Sequence, residues 1–379
     1  MFEPIEVGSR SRRTFSAAGR ILGALKLDGP LLVGIGLIML FGLVVLYSAS
    51  GQNWSMVFKA GVRAALGGVA MCALAQVKPA FLRRLALPLW VMGVILLIVV
   101  DVTGHIGKGA QRWLDLGFMR FQPSEIMKLA VPMCAAWWLH ERPLPPDWKA
   151  LFVVALIILV PSCLTIIQPD LGTGTLILIG GTLVVIMAGL QFRVMFGLAA
   201  AGVVSAWFAW QYVLYDYQKQ RVFTLLDPES DKLGAGYHII QSQIAIGSGG
   251  VFGKGLLNGS QGQLEFLPER TTDFIYAMVG EELGLLGATI LLLLYCFVVG
   301  RALYLAVETQ DTFARLLAGS ISLTFFVYVF INAGMVSGLL PVVGVPLPLV
   351  SYGGTSMVTL LASFGILMSL YSHRKLVAS

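Results

Sequence analysis

Apolar runs of bilayer-crossing length recur along the whole chain, and no other feature restricts its fold as much. They lie at residues 31–49, 57–76, 86–101, 123–140, 150–167, 172–190, 192–213, 274–300, 314–340 and 349–371. A helix needs ~20 apolar residues to cross a hydrocarbon core. In lipid only helices and closed barrels satisfy every backbone polar group internally. Barrel strands alternate apolar with polar and never sustain such runs. The sequence therefore predicts an all-α polytopic membrane protein with about ten transmembrane helices. Composition agrees, with 57 % hydrophobic and only 12 % charged residues, against about 25 % charged in an ordinary soluble domain. Mean hydropathy is +0.82. A soluble enzyme, a disordered chain and a collagen-like fibre are excluded. Two regions fit the pattern less cleanly. Run 123–140 carries Glu125 and Lys128, and 172–213 holds two spans parted only by Gly189, Leu190 and Gln191.

The first run exceeds the ~7–15 residues of a signal-peptide core, so it reads as a retained span. Basic residues then set the orientation. With the N-terminus cytoplasmic, fifteen of the 26 Lys and Arg fall on inside segments. Only six fall outside once the long loop 214–273 is left out of the count. Both termini are therefore expected on the cytoplasmic side of the membrane. Residues 1–29 form a basic cytoplasmic tail, 30–375 one transmembrane domain, and 376–379 a short C-terminal tail. The 214–273 loop faces outward. Within it, Tyr237, Ile239, Ile240, Ile244 and Ile246 suggest a short amphipathic or re-entrant helix. No internal repeat is visible, so the inverted-repeat signature of transporters is missing. The net charge of +6 is dispersed among apolar spans and gives no nucleic-acid footprint. The four cysteines, Cys72, Cys134, Cys163 and Cys296, each sit inside an apolar run. They read as small buried hydrophobes, with no disulfide framework or zinc site behind them.

Ionisable residues inside apolar spans are functional candidates, because burying them is expensive. Glu125 and Lys128 stand three apart on one helix face and can pair. The pair either lines a polar cavity or pins the bundle. The segment before it, Gly109 to Gly117, is amphipathic, with Trp113 suited to an interface. Arg112 and Arg120 either meet lipid phosphates or anchor the interface. In the long loop, Arg221, Lys254 and Arg270 are cations near Gly247, Gly249, Gly250, Gly253 and Gly255. A Walker loop needs Ser or Thr after Lys, and Gly255 stands there. Nucleotide binding is set aside, whereas a lipid pyrophosphate stays open, since backbone amides and one Lys can meet it. Asp273 sits where the loop meets an apolar span. It has the access and partial desolvation that a general base needs. Alternatively Thr271, Thr272 or Asp273 caps the following helix. Glu281 and Glu282 lie about two turns deeper, within reach of a partner such as Lys128 or Arg270.

Several stretches resemble the SEDS family, most closely its rod-shape-determining members. They are Ser48–Gly51, Lys108–Gly117 (KGAQRWLDLG), Arg120–Lys128 (RFQPSEIMK), Gln168–Thr173 (QPDLGT) and Leu226–Ile246. Gly247–Gly255, Leu264–Phe274 (LEFLPERTTDF), Glu281–Gly284 (EELG) and Gly338–Gly354 also match. The match is colinear over residues 30–375. The resemblance implies a peptidoglycan glycosyltransferase that polymerises lipid II at the outer face of the membrane during cell elongation. Undecaprenyl pyrophosphate would be the leaving group. The family's essential loop carboxylate falls on Asp273, and its buried ion pair on Glu125 and Lys128. Arg112, Arg120, Arg221, Lys254 and Arg270 become candidates to hold pyrophosphate. The resemblance also implies a divalent cation, Mg or Mn, with ligands unassigned, and a class B penicillin-binding protein as transpeptidase partner.

Two other functions fit parts of the sequence. A lipid II flippase would use the buried pair to open an amphiphile path. It would also want polar residues at both gates, whereas this chain gathers them in one loop. A non-catalytic scaffold for a transpeptidase would tolerate single replacements in that loop.

Overall fold

The computed structural model describes residues 23–373 except 104, 108–109, 116–119, 191, 213–215, 232–233 and 265. Most of the basic N-terminal tail and the C-terminal tail lie outside the described residues. The helices are α1 Gly29–Ala49, α2 Trp54–Gln76, α3 Pro79–Thr103, α4 Pro123–Leu139, α5 Trp148–Ile167, α6 Leu171–Met187 and α7 Phe192–Tyr212. Next come α8 Asp216–Leu226, α9 Ala235–Gly249 and the single turn α10 Ser260–Gln263. The chain ends with α11 Ile275–Val307, α12 Thr312–Val336 and α13 Thr355–Ser372. Seven of these, α1, α2, α3, α5, α11, α12 and α13, are long and apolar enough to cross a membrane. The shorter apolar α6, α7 with its apolar stretch Val194–Val204, and the charge-bearing α4 bring the described helices to the ten expected. The protein is a multi-pass membrane protein.

Short polar side chains start many of the helices. Asp28, Asn53, Asp147, Asp170 and Asp311 each accept a hydrogen bond from a first-turn amide, which satisfies a donor the helix leaves open. Asp28 also takes a two-pronged bond from Arg301, at 3.0 and 2.7 Å, tying α1 to α11. The bundle is built around α12, whose apolar window is 61 % buried, against 22 % for the peripheral α2 and α3.

Close backbone approach replaces side-chain packing where α13 crosses α2. A Cβ on Gly365 would stand 2.3 Å from the Met71 carbonyl oxygen. Gly365→Ala should therefore overpack this crossing at a cost of ~1–3 kcal/mol. The expected result is a lower melting temperature in detergent, with insertion unchanged.

Three regions differ from the sequence reading. Residues 105–121 add a small antiparallel sheet to the all-α plan, in the order β1 His105–Gly107, β2 Ala110–Asp115, β3 Arg120–Phe121. The last two spans are shorter than their apolar runs. Helix α12 stops at Val336 and α13 starts only at Thr355, because Pro341, Pro346 and Pro348 withhold amides and Gly338 and Gly344 take positive φ. The chain between is irregular. Such backbone is tolerated in a membrane protein where it is buried or lines a cavity. Finally, Cys134 is buried and Cys72 half-buried, but Cys163 and Cys296 are exposed on the bundle surface. An apolar run does not reveal which of its faces meets lipid.

The long loop is mostly helical, as its isoleucines suggested, and α9 packs against the first part of α11. That helix breaks at Gly284, which takes φ 65° and ψ −163°. In a continuous helix the Leu285 and Leu286 amides would bond to the Glu281 and Glu282 carbonyls. Instead, the glycine-rich run lies across the break. Lys254 N and Gly255 N donate to the Glu281 and Glu282 carbonyls at 3.0 and 2.9 Å. Gly250 O and Val251 O accept from Leu285 N and Leu286 N at 2.9 and 3.0 Å. A Cβ on Gly253 would lie 2.2 Å from the Glu282 oxygen, so only glycine admits this contact.

Candidate functional site

Helix α4 begins at Pro123, after Gln122, and turns Glu125 and Lys128 onto one face. Lys128 Nζ donates to Glu125 Oε1 at 2.6 Å. The other carboxylate oxygen accepts from Thr359 of α13 at 2.9 Å. The Lys128 ammonium also lies 5.3 Å from the Tyr328 ring centroid on α12. Three helices therefore meet on one buried ion pair. Leaving such a pair unsatisfied would be costly.

This pair faces a cavity of about 260 Å³ that also receives Asp273. Its lining includes Trp113, Gln122, Asp170, Glu269, Tyr328, Tyr352 and the first turn of α13. Gln122 Nε2 donates to Asp170 at 2.8 Å, and Asp170 also caps α6. The capping alternative for Asp273 does not hold. The N-cap position of α11 is Phe274, which makes no side-chain cap bond, so none of Thr271, Thr272 and Asp273 occupies it.

Backbone stitching holds Asp273 at the cavity. The fully buried Asn332 donates from Nδ2 to the carbonyls of Asp273 and Val345, at 2.8 and 2.7 Å. Ser351 Oγ donates to Thr272 O at 2.6 Å, and Tyr352 N to Thr271 O at 2.8 Å. The irregular 337–354 chain thus forms the back of the carboxylate's own segment. His238 of α9 stacks on Phe274, with centroids 5.5 Å apart. Burial pushes its imidazole below the ordinary histidine range, opposed by Glu269 and Asp231.

Asp273, Glu125 and Lys128 are brought together; the other predicted cations are placed differently. Lys254 pairs with the buried Glu281 carboxylate at 2.7 Å, which also accepts from Gln261 N and Gly262 N. Arg270 donates to the Ala49 and Gly262 carbonyls, pinning the loop to the end of α1. Arg221 of α8 donates to Val342 O at 2.8 Å and straps the irregular chain. The backbones of Arg112 and Arg120 lie on β2 and β3, while their side chains lie outside the described residues. Glu281 therefore takes Lys254, and Glu282 takes the Ser48 hydroxyl at 2.6 Å, rather than Lys128 or Arg270. The Lys254 and Gly255 amides, open to a pyrophosphate on sequence alone, are spent on the helix break.

Gln122, Asp170, Glu269, Tyr328 and Asn332 are site residues that single-residue reasoning missed. Asp170 and Glu269 carried a signal, as carboxylates at the ends of apolar spans. Among the described residues no group of three or more His, Cys, Asp or Glu is arranged to hold a metal ion. Asp273 and Glu269 do line one cavity. Such hard oxygen donors suit Mg²⁺ when substrate phosphates complete its shell.

The cell cycle protein family FtsW/RodA/SpoVE matches residues 27–376. The peptidoglycan glycosyltransferase MrdB of Escherichia coli K12 is 50 % identical over 355 residues, covering 93 % of this chain and 95 % of that protein. The protein of the same name from Helicobacter pylori 26695 is 40 % identical over 291 residues, 74 % of each chain. One similar solved structure concerns the coordination of polymerisation and crosslinking by a peptidoglycan synthase complex. Its matching chain superposes with a TM-score of 0.81 at 31 % identity, covering 92 % of this chain and 98 % of that one. The rod shape determining protein RodA of Thermus thermophilus superposes at 0.69 with 28 % identity, covering 92 % and 97 %.

Proposed function

The chain belongs to the FtsW/RodA/SpoVE (SEDS) family, and from that premise we propose that it is a peptidoglycan glycosyltransferase polymerising lipid II during cell elongation. The observation that carries the reading is that one cavity is lined by both Asp273 and the buried Glu125–Lys128 pair. The cavity lies next to the long loop, which on the positive-inside argument faces outward with both termini cytoplasmic. Assembled lipid II is presented on that side of the inner membrane.

Asp273 takes the proton from the 4-hydroxyl of the acceptor's GlcNAc. The oxygen's electron pair attacks the donor's anomeric carbon, and the bond to undecaprenyl pyrophosphate breaks with inversion. Charge on the departing pyrophosphate needs cations nearby. Arg112 and Arg120, on the sheet beside Trp113, are the residues from the sequence reading that we assign to it. Glu269 would hold a divalent ion, Mg or Mn, which would supply positive charge to offset the departing pyrophosphate. Lys254, Arg270 and Arg221 act at one remove, by holding the loop. A class B penicillin-binding protein is the proposed transpeptidase partner.

The test combines purified chain, partner transpeptidase, labelled lipid II and divalent cation, with glycan polymer read on a gel. Polymer is expected. Its absence, together with lipid II crossing proteoliposome membranes, would favour the flippase instead. A scaffold would yield neither. Asn332→Leu is a second check on the geometry. It removes the Nδ2 hydrogen bonds to the Asp273 and Val345 carbonyls, at ~0.5–1.5 kcal/mol each, and frees the Asp273 segment to shift. Polymerisation should fall about ten- to a hundredfold and the melting temperature should drop. A mutant with native turnover would show that Asn332 does not position Asp273.

A further inference from the structure

Arg63 is a charge within a membrane span that the mechanism leaves unused. It follows Trp54, the first residue of α2, by nine positions, which sets it ~13 Å along the helix axis. A guanidinium at such depth is expensive unless it pairs or faces a polar cavity. Its guanidinium carbon lies 4.5 Å from the Tyr352 ring centroid. Nη1 donates to the Gly353 carbonyl at 3.3 Å. Among the described residues no carboxylate pairs with it, and no other protein group takes its remaining N–H donors. An arginine carries five such donors, so the fork remains largely available to a ligand.

Tyr352 and Gly353 both line the cavity, followed by Gly354, Thr355 and Ser356 at the start of α13. Arg63 does not itself line the cavity but touches these two wall residues from the mostly exposed α2, which puts its guanidinium at the rim. The first-turn amides of α13, which no side chain caps, lie beside it. Charge inside the cavity has the opposite sign. Its described lining holds four carboxylates, Glu125, Asp170, Glu269 and Asp273, against a single lysine that is already paired. Without a bound cation such a lining attracts no phosphate, whereas the Arg63 guanidinium at the rim does. Lys59, exposed one turn earlier on the same face of α2, extends the positive path along the helix.

We propose that Arg63 holds a lipid-borne phosphate at this rim. The isoprenoid chain then stays in the bilayer alongside α2 while the saccharide reaches inward to Asp273. Assigning the phosphate to the substrate's pyrophosphate rests on the glycosyltransferase reading. The phosphate of a bulk phospholipid is the other source of the same chemistry.

The experiment uses the full chain in nanodiscs of zwitterionic lipid. It measures binding of undecaprenyl pyrophosphate and of undecaprenol, then competition by phosphatidylglycerol. Native protein should prefer the pyrophosphate. Arg63→Gln should weaken pyrophosphate binding roughly ten- to a hundredfold, the loss of charge-assisted hydrogen bonds, and leave undecaprenol unchanged. Arg63→Lys keeps the charge without the fork and should fall between. Unchanged pyrophosphate binding in a folded Arg63→Gln chain overturns the site. If that chain does not fold, Arg63→Lys decides by the same criterion. Equal competition by phosphatidylglycerol overturns the substrate assignment and leaves a phospholipid site. Selective pyrophosphate binding by a chain that makes no polymer would instead overturn the glycosyltransferase reading and leave the phosphate site standing.

Discussion

Asp273→Asn should reduce glycan polymerisation by ~10²–10⁴-fold, the range a positioned general base contributes. At 1.36 kcal/mol per decade this is about 3–5 kcal/mol of transition-state stabilisation. The amide keeps the shape of the carboxylate but cannot take the acceptor's proton. Folding should change little, because Asp273 does not cap α11 and its segment is held through backbone carbonyls that the substitution leaves in place. The measurement is single-turnover polymerisation with the melting temperature read in parallel. Slow chemistry in a chain of native stability is the expected pair of results. Native turnover would remove Asp273 from the reaction. A collapsed melting temperature would mean that its side chain serves the fold. Asp273→Glu separates the cases further: a displaced base should recover part of the rate, whereas a fold defect should persist.

What the sequence revealed, and what it hid, follows from the range of the interactions involved. The spans were legible because lipid imposes a length and a composition on every crossing helix, independent of its neighbours. The Glu125–Lys128 pair was legible because a spacing of three fixes a shared helix face. Asp273 stood out as a carboxylate at the start of an apolar run. The break at Gly284 was hidden, because it depends on a loop some thirty residues earlier supplying the missing hydrogen-bond partners. The same contact misdirects the reading of that loop. Glycines that admit a helix backbone look, on sequence, like glycines that admit a phosphate. The irregular 337–354 chain was hidden for another reason. Leu339, Leu340, Val342, Val343, Val345 and Leu347 are as apolar as a span. Only the prolines and glycines between them betray that the helix is interrupted. Arg63 was visible as a residue, but its meaning depends on Tyr352 and Gly353, almost three hundred positions away.

The largest expected loss of stability comes from removing one half of the buried ion pair. Lys128→Met strands the Glu125 carboxylate, which is 5 % exposed, with Thr359 as its remaining hydrogen-bond donor among the described residues. Breaking a buried pair in this way costs ~3–5 kcal/mol, because the uncompensated charge must be protonated or hydrated. The contacts that the pair makes with α12 and α13 should loosen with it. Replacing both members, Glu125→Leu with Lys128→Met, removes the stranded charge and should recover most of the lost stability. The double variant then separates the two roles left open by the sequence. If the pair only pins the bundle, polymerisation returns with stability. The cavity favours the other outcome, since both side chains line the space that receives Asp273. Removing them replaces a buried ion pair in the lining of that space with apolar surface. Turnover should therefore stay low in a chain that has regained its melting temperature, and recovery of both quantities together would reduce Glu125 and Lys128 to a structural pin.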